Sequence, residues 1–446
     1  MQSDTKLEEA FKKIVTPFEQ FIHSQTTSGF ILIAMTVLAL LIANSPLYES
    51  YLHIIHTKID FNVGDWKLSH SLHHWINDGL MAIFFFLVGL EIKREVLVGE
   101  LSNIKAAILP VIAAIGGMIV PALIYLGINY NQAGQNGWGI PMATDIAFAI
   151  TALVLLKNRV SPALVTFLTA LAIVDDLGAV LVIAIFYTQE IQLTALALAG
   201  LSFGILILFN LMGVRSILPY FLVGIFLWFF MLESGVHATI AGVLAAFTIP
   251  LKPKLKPIHF TKHIRNVLDE FDSYPVTTDD VMHEKQKAVL QNIKDRIDAV
   301  TSPAYILEHA LHIPVSFIII PIFALANAAI AIDFNSIGSS LVSSVSLGII
   351  FGLIVGKILG IFGVAYIATK LKIAQLPQDS NLSQVFGVAA LAGIGFTMSI
   401  FVSDLAFLGD DTLIFQAKVG ILTASLLAGL LGFVWLRFIA KRPQSH

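Results

Sequence analysis

Long apolar runs, separated by short polar stretches, dominate the chain. The runs are continuous rather than alternating, which predicts helices and excludes an outer-membrane β-barrel. Most are close to the ~20 residues that a helix needs to cross the hydrocarbon core of a bilayer. We number them segments 1 to 12, at about 29–43, 75–98, 106–129, 138–156, 162–187, 193–212, 216–231, 235–250, 303–332, 343–368, 384–408 and 414–440. The pattern predicts an all-α polytopic membrane protein with twelve transmembrane helices.

The polar stretches divide the chain. Residues 1–28 form an N-terminal segment with a rough amphipathic face, and 29–250 hold segments 1–8. Within 47–74, alternating residues around Gly64-Asp65 predict a small external β-hairpin. Residues 251–302 form the one sizeable polar insert, and 303–446 hold segments 9–12 and a short tail. The insert is predicted to be a helical hairpin with a packed apolar stripe, or else a partner-docking module; the stripe is Leu290, Ile293, Ile297 and Val300.

Basic residues fall in every second connection. One set of connections carries Lys6, Lys12, Lys13, Lys93, Arg94, Lys105, Lys157, Arg159, Arg215, the basic residues of the insert, Lys370, Lys372, Arg437, Lys441 and Arg442. The alternate set carries only Lys58, Lys67 and Lys418. The positive-inside rule therefore predicts that both termini and the insert are cytoplasmic.

Composition narrows the function classes. The chain of 446 residues is 57% hydrophobic and 13% charged, whereas about a quarter of the residues of a soluble domain are charged. The absence of cysteine excludes disulfides, thiolate metal sites and thiol catalysis. The net charge of −3 gives no indication of a nucleic-acid partner, and the polar first 28 residues predict no cleavable signal peptide.

Two adjacent aspartates, Asp175 and Asp176, lie in the middle of segment 5. At ~1.5 Å per residue, the 13 residues that separate Asp175 from Pro162 place it ~20 Å deep. Neighbouring helical residues point ~100° apart, so the two carboxylates border one cavity without sharing a face. Intramembrane carboxylates are costly and mark ion or proton pathways. A structural pair neutralised by protons or neighbours is the alternative.

Segments 4 and 11 carry features that interrupt helices. Glycines and Pro141 precede Thr144 and Asp145 in segment 4, and segment 11 contains two glycines and two hydroxyls within 392–399. The two segments run in opposite directions, each in the middle of a three-helix set, which fits an inverted repeat of segments 3–5 and 10–12. Lys357 lies halfway along segment 10 and needs an anionic partner, either a segment 5 aspartate or half-helix C-termini.

Other polar residues are weaker candidates. Asp78, early in segment 2, is a candidate entrance residue. Glu91, Arg94 and Glu95 have helical spacing at the other end of segment 2, where a solvated ion-pair face is the default. Glu308, His309, His312, His237 and Asp404 have no specific pattern, and Asp404 is expected to face water.

Together these residues resemble the NhaA-type sodium/proton antiporter family of bacterial inner membranes. The matching stretches are 75–81 (WINDGLM), 88–95 (VGLEIKRE), 143–148 (ATDIAF), 172–178 (AIVDDLG), 234–239 (SGVHAT), 356–357 (GK) and 393–400 (GIGFTMSI). They occur in order over nearly the whole chain. The resemblance implies twelve helices, an inverted repeat of segments 3–5 and 10–12, and crossed broken helices 4 and 11. The insert 252–301 is longer than in the best-known members.

The resemblance also implies roles. Asp175 and Asp176 resemble the family's pair that binds cation and protons, with Asp176 the central Na⁺ ligand and Lys357 the partner of Asp175. Thr144 and Asp145 resemble residues that support this site. Glu91, Arg94, Glu95 and Glu308 fall in the family's pH-response region. The hairpin matches the region through which family members form homodimers. No cofactor is implied, because Na⁺ or Li⁺ and H⁺ are substrates.

The resulting hypothesis is a non-enzymatic antiporter of the inner membrane that exports Na⁺ or Li⁺ in exchange for H⁺. A sodium-coupled solute symporter is the alternative in the same class. An intramembrane aspartyl protease also uses two membrane aspartates, but on separate helices, with one in a Gly-x-Gly-Asp context that Asp175 and Asp145 lack. A scaffold whose function lies in the insert is a third class.

Overall fold

The computed structural model describes residues 25–440, except 64–65, 157–158, 189, 256, 274–283 and 332–333. The predicted N-terminal amphipathic face and the tail after 440 lie outside the described residues. Within them, seven continuous helices are long and apolar enough to cross a membrane, or up to ten spans if each of three bent helix pairs counts as one. The chain is therefore a multi-pass, helical membrane protein. The continuous helices are Leu72–Leu97, Ile104–Ile128, Pro162–Phe186, Leu193–Leu211, Pro303–Asn327, Ser344–Lys370 and Asp411–Ile439.

The bent and the short helices account for the remaining segments. Segment 4 consists of the 3-10 helix Ala133–Met142 and the α-helix Ile146–Leu155, and segment 11 of Leu382–Leu391 and Phe396–Ala406. Segments 7 and 8 are the shorter helices Ile217–Glu233 and Thr239–Thr248. Segment 1 is the helix Gln25–Ala43.

A surface helix that the sequence analysis missed follows segment 1. Tyr48–Ile55 is bent by 113° from segment 1. Tyr51, Leu52 and Ile55 have helical spacing, Ile55 is buried, and the Tyr51 hydroxyl lies 2.9 Å from the carbonyl oxygens of Leu325 and Ala326. These contacts attach the helix to the end of segment 9. Eight residues are too few for a stable isolated helix, so this packing stabilises it.

The predicted hairpin is confirmed. Strand β1, Lys58–Val63, pairs antiparallel with strand β2, Trp66–Ser71, and Lys58 lies opposite Ser71. Ser71 also caps segment 2, since its hydroxyl accepts a hydrogen bond from the backbone N–H of His74 at 3.2 Å. The hairpin therefore leads directly into the helix that carries Asp78 and Glu91.

Segment 3 packs against both segment 5 and segment 10 and brings their charged residues together. Its backbone meets that of segment 10 at Gly116 and Gly360, where a Cβ on Gly116 would lie 2.4 Å from the Gly360 carbonyl oxygen. Only glycine permits so close an approach. The contact sets the position of Lys357 along segment 3, because Lys357 lies one turn before Gly360.

The insert contains two helices, Pro257–Ser273 and Glu284–Val300, that pack on each other. The predicted stripe was wrong in part. Val267 and Val289 are buried between the helices, while Leu290 and Ile297 are 41% and 47% exposed. Val289 and Leu290 are neighbours, and each begins its own stripe of apolar residues along the helix. A hairpin of two helices can bury only one of these two stripes.

Candidate ion-binding site

The two interrupted segments meet at their breaks. Segment 4 bends by 42° between Met142 and Ile146, and segment 11 bends by 48° between Leu391 and Phe396. The backbone N–H of Asp145 donates to the Ile394 carbonyl at 2.7 Å, and the Ser399 hydroxyl donates to the Ile140 carbonyl at 2.8 Å. Each break therefore satisfies backbone groups that the other leaves open, which an apolar environment requires.

Asp145 caps both half-helices. Its Oδ1 accepts from the Phe148 N–H at 3.2 Å, at the start of Ile146–Leu155. Its Oδ2 accepts from the N–H and the hydroxyl of Thr397 at 3.0 and 2.5 Å, at the start of Phe396–Ala406. A carboxylate at two helix N-termini is favoured by both dipoles. Asp145 therefore caps one helix in each of the two interrupted segments.

Lys357 forms an ion pair with Asp175. The Lys357 ammonium contacts Asp175 Oδ2 and donates to the Thr144 hydroxyl at 2.9 Å. The Thr144 hydroxyl lies 2.7 Å from the same Asp175 oxygen and 3.0 Å from the Ala392 carbonyl oxygen, so its single proton serves one of them at a time. All three side chains are buried. Of the two partners that the sequence left open for Lys357, the geometry selects the aspartate.

Asp176 lies beside this pair and has no ion pair of its own within the described ranges. It is 2% exposed, and its Oδ2 has no hydrogen-bond partner among the described residues; the same holds for Oδ1 of Asp175. The Asp176 carboxylate interacts electrostatically with those of Asp175, Glu91 and Asp145. Carboxylate oxygens are the ligands that hard cations prefer. The site thus presents two uncommitted carboxylate oxygens from adjacent residues, with one balancing lysine.

The four candidate pH-response residues form one cluster. Arg94 Nε pairs with Glu308 Oε1 at 2.9 Å, and Arg94 Nη2 pairs with Glu95 Oε1 at 2.9 Å. Glu91 lies one turn before Arg94 and interacts electrostatically with both Glu308 and Asp176. Glu91 therefore lies within electrostatic range of both the Arg94 cluster and Asp176.

Asp78 lies in the wall of a cavity of about 1020 Å³ at the hairpin end of the molecule. His74 Nδ1 lies 3.2 Å from Asp78 Oδ2, and His237 Nε2 lies 3.4 Å from Asp78 Oδ1. Asp404 lines the same cavity and pairs with Lys418 at 3.4 Å. The expectation that Asp404 faces water was wrong: its side chain is 13% exposed, because segment 12 covers it and supplies the lysine.

Sequence reasoning missed several residues of these sites. Thr397 was noted only as a hydroxyl in segment 11, and its bonds to Asp145 required the crossing of two distant breaks. Lys93 was counted only as a loop charge, yet it is buried and donates to the carbonyls of Phe247 and Ile249 at the end of segment 8. The position of His74, four residues before Asp78, was the one local signal for their contact.

A buried cluster of three carboxylates and one lysine beside the breaks of two interrupted helices, in a helical membrane protein, defines the class: a secondary transporter. A family model described as Na+/H+ antiporter 1 matches residues 19–436, and the chain belongs to this family.

Three relatives show how far the similarity extends. The Na(+)/H(+) antiporter NhaA of Sulfurimonas denitrificans is 63% identical over 432 residues, which cover 97% of each chain. The Na(+)/H(+) antiporter NhaA 1 of Saccharophagus degradans is 48% identical over 96% of this chain and 93% of its own. The Na(+)/H(+) antiporter NhaA of Wolinella succinogenes is 48% identical over 93% of this chain and 92% of its own.

Family membership makes this chain a transporter and not an enzyme, and it supports Na⁺/H⁺ exchange across a membrane. Members require no cofactor, because the transported ions are substrates. The resemblance read from the sequence motifs is therefore confirmed.

The double capping by Asp145 has a measurable consequence. Replacing Asp145 by alanine removes both caps and leaves the buried Thr397 N–H without its acceptor. We expect a loss of about 2–4 kcal/mol in unfolding free energy, against about 1 kcal/mol for Ser161→Ala, which removes the single cap of segment 5. Asp145→Asn, which retains one acceptor oxygen, falls between them. Thermal unfolding of the purified variants in detergent measures the order, and equal losses for Asp145→Ala and Ser161→Ala would contradict the double cap.

Proposed function

We propose that the protein exports Na⁺ or Li⁺ in exchange for H⁺ across the bacterial inner membrane, with both ions competing for Asp175 and Asp176. The observation that carries this proposal is the pair of buried carboxylate oxygens, Asp176 Oδ2 and Asp175 Oδ1, for which the described part of the chain supplies no hydrogen-bond donor. Such oxygens accept either a cation or a proton. Occupation by one excludes the other, so each ion displaces its competitor.

The two aspartates have different tasks in this proposal. Asp176 forms no ion pair with any residue that the structure describes, and it is the direct ligand of the cation. Asp175 is held by Lys357 and Thr144, so a cation that approaches Asp175 competes with the lysine ammonium for the same carboxylate. When the cation weakens that ion pair, the charge of the site changes through the binding or release of protons, and not through the binding of a second metal ion. Thr144 keeps Asp175 oriented during the exchange.

Alternating access converts this competition into exchange. We propose twelve transmembrane helices with cytoplasmic termini, and an inverted repeat in which segments 3–5 correspond to segments 10–12. Support comes from the opposed breaks of segments 4 and 11 and from their reciprocal hydrogen bonds. In this mechanism, one part of the protein moves as a rigid body and opens the site first to one membrane face and then to the other.

Two further sets of residues are assigned to the outer and the inner opening of the transport path. We place Asp78 at the outer opening, because it lines the 1020 Å³ cavity. We assign the pH response to Glu91, Arg94, Glu95 and Glu308 at the inner opening, since Glu91 interacts electrostatically with Asp176.

The hairpin is proposed as the homodimer contact. A sheet of two strands leaves the outer edges of β1 and β2 without strand partners in the part of the chain that the structure describes. Edge-to-edge pairing with a second copy satisfies these backbone groups.

Inverted vesicles that contain the protein test the proposed function. After respiration has acidified the vesicle interior, addition of Na⁺ or Li⁺ is expected to dissipate the pH difference, which a fluorescent ΔpH dye reports. The response requires no organic solute, which distinguishes an antiporter from a sodium-coupled symporter. Vesicles without the protein are the control. A ΔpH that is insensitive to Na⁺ and Li⁺ at every pH tested would disprove the exchange.

A further inference from the structure

The first helix of the insert and the residues that lead into it carry exposed basic and apolar side chains close to the end of segment 8. Lys252 lies three residues beyond Ile249, where segment 8 ends. Three residues span at most ~11 Å, so Lys252 lies within that distance of the end of segment 8. The Ala304 N–H donates to the Pro250 carbonyl at 3.2 Å, and the Leu255 N–H donates to the Ala299 carbonyl at 2.7 Å. These two bonds join the ends of the insert to each other at the roots of segments 8 and 9.

The charge of this stretch has one sign. From Lys252 to Arg265 the sequence contains five Lys or Arg residues and no acidic residue, and the first carboxylate after it is Asp269. Lys252, Lys254 and Arg265 are exposed. The second insert helix differs, because Glu284, Asp295 and Asp298 alternate there with its basic residues. The basic character is therefore confined to the part of the insert that adjoins segment 8.

The exposed face of the first helix combines basic and apolar side chains from Ile258 to Leu268, before the exposed Asp269 on the same side. Ile258, Thr261, Arg265 and Leu268 have helical spacing of three and four residues and are all exposed. Ile258 is 81% and Leu268 is 47% exposed, while Val267 on the other side is buried against the second helix. Two exposed aliphatic side chains at the ends of a basic face are typical of a helix that lies in the headgroup region.

We propose that this face, formed by Lys252, Lys254, Ile258, Arg265 and Leu268, binds an anionic phospholipid surface. The basic residues contact the lipid phosphates, and the two aliphatic side chains enter the boundary between headgroups and acyl chains. The charge complementarity with an anionic leaflet and the continuity with segment 8 select lipid as the occupant. The site does not depend on ion exchange; only its assignment to the inner leaflet rests on the proposed topology.

The absence of cysteine makes a direct test possible. Thr261→Cys places one thiol in the middle of the exposed face of the full-length chain, and a polarity-sensitive fluorophore is attached to it. The labelled protein is reconstituted into phosphatidylcholine vesicles with or without phosphatidylglycerol, in both cases with brominated acyl chains as quenchers. We expect quenching and a shift of emission to shorter wavelength when phosphatidylglycerol is present. Raising the salt to ~1 M shortens the Debye length to ~3 Å and is expected to reverse both effects.

Matched charge variants complete the test. Lys254→Gln with Arg265→Gln removes two charges from the proposed face and is expected to weaken lipid docking about fivefold per residue. Lys287→Gln with Lys294→Gln removes two exposed charges from the second helix and is expected to leave the quenching unchanged. Gel filtration confirms that each variant is folded and monodisperse. Equal quenching in neutral and anionic vesicles, no quenching in either, or equal losses in both double variants would overturn the proposal.

Discussion

Replacing Asp176 by asparagine abolishes Na⁺- and Li⁺-dependent proton movement in inverted vesicles. Asparagine retains the size of the side chain but has one carbonyl oxygen and no titratable proton. It can therefore neither balance the charge of a cation nor release a proton to make room for one. The fluorescent ΔpH response is expected to fall to that of vesicles without the protein at every pH.

Asp404→Asn is the matched control for this variant. Asp404 is also a largely buried carboxylate with a basic neighbour, Lys418, but it lies in the wall of the 1020 Å³ cavity rather than beside Lys357. We expect this variant to retain exchange, which separates loss of a particular carboxylate from loss of any buried charge. Both variants are first shown to be present in the membrane in equal amounts. Full Na⁺-dependent exchange by Asp176→Asn would exclude Asp176 as the ligand.

Replacing Lys357 by methionine destabilises the protein by about 3–5 kcal/mol, because Asp175 is left buried without its cation. Methionine fills a similar volume, so the loss reflects charge rather than a cavity. Thermal unfolding of purified protein in detergent at neutral pH measures the effect.

The double variant Lys357→Met with Asp175→Asn supplies the control. Removing both members of a buried ion pair is often close to neutral, since the desolvation cost disappears together with the attraction. We therefore expect the double variant to recover most of the lost stability while remaining inactive in exchange. If the double variant is as unstable as Lys357→Met, the lysine acts through packing and not through Asp175.

The periodic pattern of the chain predicted the fold closely where helices cross the membrane without interruption. The apolar run at 162–187 is the helix Pro162–Phe186, because a continuous apolar stretch in lipid has few alternatives to a helix. The surface helix Tyr48–Ile55 was missed because it is stabilised by contacts with segment 9 rather than by its own sequence. The buried face of the second insert helix was also predicted wrongly in part, because the neighbouring apolar residues Val289 and Leu290 allow two different faces to be the buried one.

For the site, the sequence predicted the individual charged residues but not the contacts between them. The cost of burying Asp175, Asp176, Asp145 and Lys357 identified them from sequence alone. Their pairing did not follow from sequence, because Lys357 and Asp175 are 182 positions apart and meet only through the packing of segment 3 against segments 5 and 10. The link from Asp145 to Thr397 likewise requires the crossing of the two breaks. The position of Asp404 depended on a neighbouring segment in the same manner.

The central claim is that cations and protons compete for the same carboxylates, and calorimetry of Na⁺ binding to the purified protein tests it most directly. The binding heat is measured at one pH in several buffers that differ in their ionisation enthalpy. The account predicts a heat that depends linearly on that enthalpy with the sign of proton release, and no such dependence in Asp176→Asn. Na⁺ binding by the unmodified protein with a heat independent of the buffer would contradict it.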